Sequence, residues 1–250
     1  MKIGIIGIGN VGMQVLKDLN SSNKTKDTLF VEKILVRDKE KYLKILDLEF
    51  GKNNNVSEKL TDDFSDFINS DIKIVVELIG GMDPAKEYVE KSILSGKHVV
   101  TANKEIISNS IDHLTKLADS KNVKLRFEAA VGAGIPLIEV LIDMLDQNNI
   151  SKLTGIINGT SNYILSSMHN SNKSFDESLK EAQNLGFAES DPTNDVGGFD
   201  AKFKINILGS IAFSERIPLE SVSVKGIENL SQKDISYAQE FGYVIKLLAV

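Results

Sequence analysis

Residues 2–8 are apolar on both faces of a pleat, the pattern of a strand covered by helices on either side in a parallel sheet. Helical spacing follows at 12–19, where Val15 and Leu19 stand four apart, and the polar run NSSNKTKD then forms a mobile connection. The same alternation continues with strands at 30–36, 72–78, 97–101 and 123–127 and helices at 39–48, 63–68, 84–94 and 105–120. The polar loop GKNNNVSEK separates the second helix from the third, and Pro84 and Gly96 bracket the fourth, as a first-turn proline and a left-handed terminator do. Buried strands alternating with amphipathic helices predict a doubly wound parallel sheet.

Beyond Gly134 the pattern changes. Helices are expected at 136–145, 162–168 and 175–185, with a strand at 153–158 between the first two. Ser174 and Glu177 form a capping box for the third of these helices and Gly186 closes it. The run 201–213 is apolar on almost every side after Lys204 and reads as a helix through the centre of a second unit. A strand VSVKGI, a helix capped by Ser231 and a strand YVIKLLAV complete the chain. The expected division is 1–130 for a dinucleotide-binding domain and 131–250 for an α+β domain. The latter is expected to be incomplete, because its last strand lacks a cover.

With 250 residues and 42% apolar content, the chain can build one large or two modest cores. Thirty-five acidic against twenty-nine basic residues give a net charge of -6, which argues against a nucleic-acid footprint and for a small soluble partner. Cysteine is absent, so disulfides, thiolate zinc sites and cysteine nucleophiles are excluded, and a cytoplasmic location is expected. His98, His113 and His169 are too scattered for a local metal motif, and no apolar run reaches the ~18 residues of a membrane span.

Five stretches carry chemistry. Gly7-Ile8-Gly9-Asn10-Val11-Gly12 joins the first strand to the first helix, where glycines permit close approach of a pyrophosphate to the helix amides; the alternative is an ordinary βα turn. Arg37, at the tip of the second strand, is placed to clamp a 2′-phosphate, or else forms a solvated turn with Lys39. Gly80 in ELIGG, and Thr101 and Lys104 in TANK, end adjacent strands at the carboxyl edge, where a lysine reaches nicotinamide or substrate if it is not a surface helix start. Glu128 and the loop after it offer a carboxylate and backbone carbonyls, either as oxygen donors for a hard cation or as a structural hinge. In GFAESDPTNDVGGFDAKFK, Asp200 and Lys204 stand i,i+4, the spacing of a solvated helix pair. The apolar run after Lys204, and the carboxylates of Glu189, Asp191 and Asp195, favour a buried amine with partners.

Taken in order, GIGNVG, VVELIGG, TANK, EAAVGAGIPLI, GIINGTSNYIL and GFAESDPTNDVGGFDAKFKINIL resemble the homoserine dehydrogenase family over residues 1 to about 210. The last two blocks are the most specific. The resemblance implies a Rossmann domain followed by a substrate and dimerisation domain. It also implies NAD- or NADP-dependent interconversion of aspartate 4-semialdehyde and homoserine on the route to threonine and methionine, by a cytoplasmic homodimer. It makes Lys204 the acid/base lysine and Lys104 the lysine beside cofactor and substrate. Glu189, Asp195 and Asp200 orient the substrate, and Asn158, Gly159 and Thr160 line its pocket. Gly7, Gly9, Asn10, Val11, Gly12, Arg37, Gly80 and Thr101 serve the cofactor. Glu128, Val131, Ala133 and Ile135 match a loop for a sodium or potassium ion. The competing expectation is a catalytically silent dinucleotide-binding sensor or assembly protein on the same scaffold, or another amino-acid carbonyl reductase.

Overall fold

The computed structural model describes residues 1–21, 28–52 and 54–250. Most of the connection NSSNKTKD, and Asn53 of the loop GKNNNVSEK, lie outside the described residues. The chain divides into two compact units, Met1–Ile135 and Pro136–Val250. No helix among the described residues is long and apolar enough to cross a membrane.

In the first unit, β1 (Lys2–Ile6), β2 (Phe30–Leu35), β3 (Leu60–Thr61), β4 (Ile74–Glu77), β5 (His98–Thr101) and β6 (Leu125–Arg126) form one sheet in the order β3-β2-β1-β4-β5-β6. All of its pairings are parallel. The crossovers carry α1 (Asn10–Ser21), α2 (Lys39–Phe50), α3 (Phe64–Asn69), α4 (Ala85–Leu94) and α5 (Lys104–Ser120). The central strands are apolar on both faces because both are covered. Ile3, Ile5 and Ile34 pack with Leu16 of α1 and Leu46 of α2 in one buried cluster. Gly4 makes room for α3, since a Cβ there would collide with the ring of Phe67 and with Ile72. The order reverses direction at β1, so the crevice at the carboxyl ends of β1 and β4 is the switch point where such sheets bind ligands.

The second unit is helical: α6 (Ile138–Leu145), α7 (Gly159–Ser171), α8 (Phe175–Asn184), α9 (Thr193–Val196), α10 (Phe199–Ala212) and α11 (Gln232–Glu240). Ile164, Leu165 and Met168 of α7 pack with Ala182, Ile227 and Ile235 as its core. The three strands expected here do not form. Residues 153–158 and YVIKLLAV meet only in one antiparallel bridge, Gly155 to Ala249, and VSVKGI has no strand partner. A strand exists only where a neighbour satisfies its amides. Here the Ile227 amide bonds instead to the Val196 carbonyl at the end of α9.

The expected capping box of Ser174 with Glu177 is present on α8, and the expected cap Ser231 of α11 forms a second box with Asp234. The Ser174 backbone N–H, and then its hydroxyl, hold the Glu177 carboxyl below its ordinary range. A depressed carboxyl contributes stability that is complete above the unfolded value of ~4.3 and is lost as pH falls through the lower folded value. Glu177→Gln is therefore expected to lower the melting temperature slightly at neutral pH. In calorimetric scans the difference from the parent should begin to shrink as pH falls below ~4.3 and vanish only once it is below the lowered folded value; a difference that persists at still lower pH would count against this origin.

Candidate active site

At the carboxyl edge of the first unit, Gly7 turns the chain with φ of 88° while its N–H donates to the Leu35 carbonyl at 2.9 Å. The first helical bond of α1 runs from the Met13 N–H to the Gly9 carbonyl at 2.8 Å, so the amides of the following turn open outward above the loop. A Cβ on Gly12 would collide with the Gly7 carbonyl, whereas one on Gly9 would meet nothing within 4 Å. Gly12 thus seats the helix against the turn, and Gly9 leaves open space before the helix N-terminus. Asn10 is the first residue of α1, and Val11 is exposed beside it. An anion is held at such a place by free amides and the helix dipole, and the space suits the pyrophosphate of a dinucleotide. At the end of β2, Asp38 caps α2 by accepting from the Lys41 N–H at 2.9 Å, and Arg37 is exposed.

The ends of β4 and β5 are joined by a network that motif reading did not identify. Glu77 is fully buried; its Oε1 accepts from the Ile79 N–H at 2.9 Å and its Oε2 from the Thr101 hydroxyl at 2.5 Å. Thr101 Oγ1 in turn accepts from the Asn103 N–H at 2.9 Å. Asn103 caps α5 by accepting from the Ile106 N–H and donates from Nδ2 to the Gly81 carbonyl at 2.7 Å. The glycine loop is therefore tied to the start of α5, where half-buried Lys104 is the first helical residue. Gly80 and Gly81 both hold positive φ, 69° and 72°, which only glycine adopts without strain.

The loop that ends this unit begins with a single turn at Glu128–Ala130, whose Glu128 carbonyl accepts from the N–H groups of Val131 and Gly132. Ala133 has φ of 52°, and a Cβ on Gly132 would collide with the Ile135 carbonyl oxygen. This curled backbone fits ligation by carbonyl oxygens, the donors a hard cation takes. Among the described residues no three His, Cys, Asp or Glu side chains converge on a metal position.

In the second unit the acidic block and the NGT segment come together. Asn158 Nδ2 donates to Asp195 Oδ1 at 2.7 Å and to Asp200 Oδ2 at 2.8 Å, and its Oδ1 caps α7 by accepting from the Ser161 N–H at 2.7 Å. Lys204 Nζ lies 2.8 Å from Asp200 Oδ2 and donates to the Ile157 carbonyl at 3.1 Å. The Asp200 side chain is 4% exposed and that of Lys204 18%, which rules out the solvated helix pair that their spacing alone would give. Gly159 is exposed at the first position of α7, and the Thr160 hydroxyl donates to the Phe187 carbonyl at 2.6 Å. Glu189 is exposed in the loop before α9, its backbone carbonyl held by Gln183 Nε2 at 3.1 Å. The Thr193 hydroxyl, and then its N–H, hold the Asp191 carboxyl below its ordinary range, so Asp191 braces that loop.

These features agree with what the sequence resembles elsewhere. Residues 7–128 match the NAD-binding domain of homoserine dehydrogenase, and residues 136–250 match the homoserine dehydrogenase domain that follows it. Over its whole length the chain is 41% identical to the homoserine dehydrogenase of Synechocystis sp. and 38% identical to that of Bacillus subtilis, covering 57% of each. Among solved structures, a homoserine dehydrogenase from Thiobacillus denitrificans superposes with a TM-score of 0.86 at 41% identity, covering 99% of this chain and 57% of that one. A hyperthermophilic archaeal homoserine dehydrogenase in complex with NADPH gives a TM-score of 0.77 at 29% identity, covering 92% of this chain and 75% of that one. The chain thus spans somewhat more than half the length of the curated relatives it matches.

Proposed function

The chain belongs to the homoserine dehydrogenase family, and from that premise we propose that it interconverts L-aspartate 4-semialdehyde and L-homoserine with NADP or NAD. The observation that carries this is the buried Asp200–Lys204 pair, braced by Asn158 and the Ile157 carbonyl. A half-buried ammonium held in one place by a carboxylate and a carbonyl is the equipment for moving a proton at an oxygen that gains charge.

When bound, the nicotinamide supplies the hydride to the aldehyde carbon or takes it from the alcohol. Lys204 donates a proton to the aldehyde oxygen in one direction and removes it from the hydroxyl in the other. Lys104 serves as the lysine near cofactor and substrate, while Glu189, Asp195 and Asp200 orient the substrate amine and carbonyl. Asn158, Gly159 and Thr160 frame the pocket at the start of α7. Gly7, Gly9, Asn10, Val11 and Gly12 hold the pyrophosphate, Gly80 and Thr101 shape the nicotinamide end, and Arg37 meets a 2′-phosphate, which favours NADP. Glu128, Val131, Ala133 and Ile135 hold a sodium or potassium ion that steadies their loop. In this division of labour residues 1–130 bind the cofactor and 131–250 the substrate.

The same reading puts the reaction on the route to threonine and methionine, in the cytoplasm. It also makes the working unit a homodimer, which is supported by the half-exposed apolar residues Val140 and Met144, one turn apart on α6. The direct test is a steady-state assay following nicotinamide reduction with homoserine and each oxidised cofactor. Homoserine-dependent turnover with a lower KM for NADP is the expected result, and its absence with both cofactors would remove the proposal.

A further inference from the structure

Asn158 makes more contacts than a helix cap needs. Its Oδ1 satisfies the Ser161 N–H at the start of α7, a task that serine, threonine or aspartate performs equally well. What those residues lack is an amide with two protons, and here each proton is directed at a different carboxylate, Asp195 from α9 and Asp200 from α10. The orientation is fixed by chemistry: turning the amide over would set its oxygen against two carboxylate oxygens and its NH2 against a backbone N–H. Asp200 Oδ2 accepts from both Asn158 and Lys204, and the carbonyl of the preceding residue, Ile157, accepts from the same lysine. Two adjacent residues therefore locate Lys204, one directly and one through Asp200. The charged groups facing this amide are Asp195, Asp200 and Lys204; the first turn of α7 contributes none.

We infer that Asn158 is a positioning residue, whose side-chain amide draws Asp195 and Asp200 together as paired acceptors and through Asp200 fixes the Lys204 ammonium. Asn158 is 5% exposed with both amide protons engaged, so it acts on substrate through its neighbours and not by donating to it. The catalytic consequence rests on the homoserine dehydrogenase reading, whereas the bridge itself does not.

Asn158→Ser separates the two tasks, because serine keeps the cap acceptor and loses the double donor. The expected result is a fall in kcat/KM for homoserine of about tenfold to a hundredfold, as misplaced catalytic groups produce. It should appear in kcat as well as KM per folded molecule, with cofactor affinity unchanged, and the melting temperature should fall modestly because buried Asp200 loses one of its donors. Kinetics equal to the parent's would reduce Asn158 to a cap and overturn the inference. A second measurement does not depend on activity or on that variant folding. In NMR spectra of the unligated chain, the Asn158 side-chain amide resonances should shift in both Asp195→Asn and Asp200→Asn; insensitivity to either substitution overturns the bridge. A chain without homoserine turnover whose amide resonances respond in this way would overturn the functional reading while upholding the bridge.

Discussion

Lys204→Gln should lower homoserine turnover by about 10²–10⁴-fold, the usual contribution of a positioned acid/base group, while leaving the dissociation constant for the reduced cofactor unchanged. Glutamine is the informative replacement because its amide can still donate to Asp200 Oδ2 and to the Ile157 carbonyl, the two partners of the native ammonium. Alanine would leave the Asp200 carboxylate, 4% exposed, without its cation. Breaking a buried pair in that way costs about 3–5 kcal/mol and would confuse unfolding with lost chemistry. Glutamine also removes the counter-charge of Asp200, but it leaves a hydrogen-bond donor for both acceptors, so the loss of stability is smaller than with alanine and turnover is compared per folded molecule. If Lys204 served stability alone, the glutamine variant would melt earlier but turn over normally per folded molecule. Turnover within a few fold of the parent would strip Lys204 of the proton-transfer role.

The first unit is legible because its central strand β1 is buried from Ile3 to Ile6 on both faces and its neighbours are rich in buried apolar positions. Burial on both faces writes a continuous apolar run into the sequence, and the glycine and proline signals between runs mark the crossovers. The two-residue strand β3 was missed, since Leu60 and Thr61 are too few to show any period. In the second unit, apolar stretches such as VSVKGI and YVIKLLAV have the composition of strands, but a strand is defined by its neighbour, and no local run states which segment that will be. The same limit governs the site. GIGNVG is contiguous and could be read directly, and Asp200 with Lys204 could be paired from their spacing. That this pair is buried depends on Ile157 and Asn158, more than forty residues upstream. Glu77 looks from its neighbours like the last residue of an ordinary strand. Its partner Thr101 lies 24 residues away, so the buried link between the glycine loop and the start of α5 becomes visible only in three dimensions.

Gly9→Ala and Gly12→Ala, the same substitution three residues apart, are expected to fail in opposite ways. A methyl group on Gly9 meets no atom within 4 Å, so the fold and its melting temperature should be untouched. It projects into the space before the amides of α1, where a pyrophosphate would be held. Loss of one charge-assisted hydrogen bond, worth about 1.5–3 kcal/mol, corresponds to a fall of roughly tenfold to a hundredfold in affinity for the reduced cofactor. At Gly12 the added carbon collides with the backbone carbonyl of Gly7, an atom that cannot swing aside as a side chain can. Overpacking of this kind costs about 1–3 kcal/mol, which for a chain of this size lowers the melting temperature by roughly 2–4 °C for each kcal/mol. Fluorescence titration and thermal melts of both variants distinguish the two effects. Undiminished cofactor affinity in Gly9→Ala would mean that the dinucleotide does not approach the helix N-terminus, and the switch-point crevice would lose its ligand. A Gly12→Ala variant as stable as the parent would mean that the turn relaxes freely, and the close seating of α1 on Gly7 would no longer explain why glycine stands there.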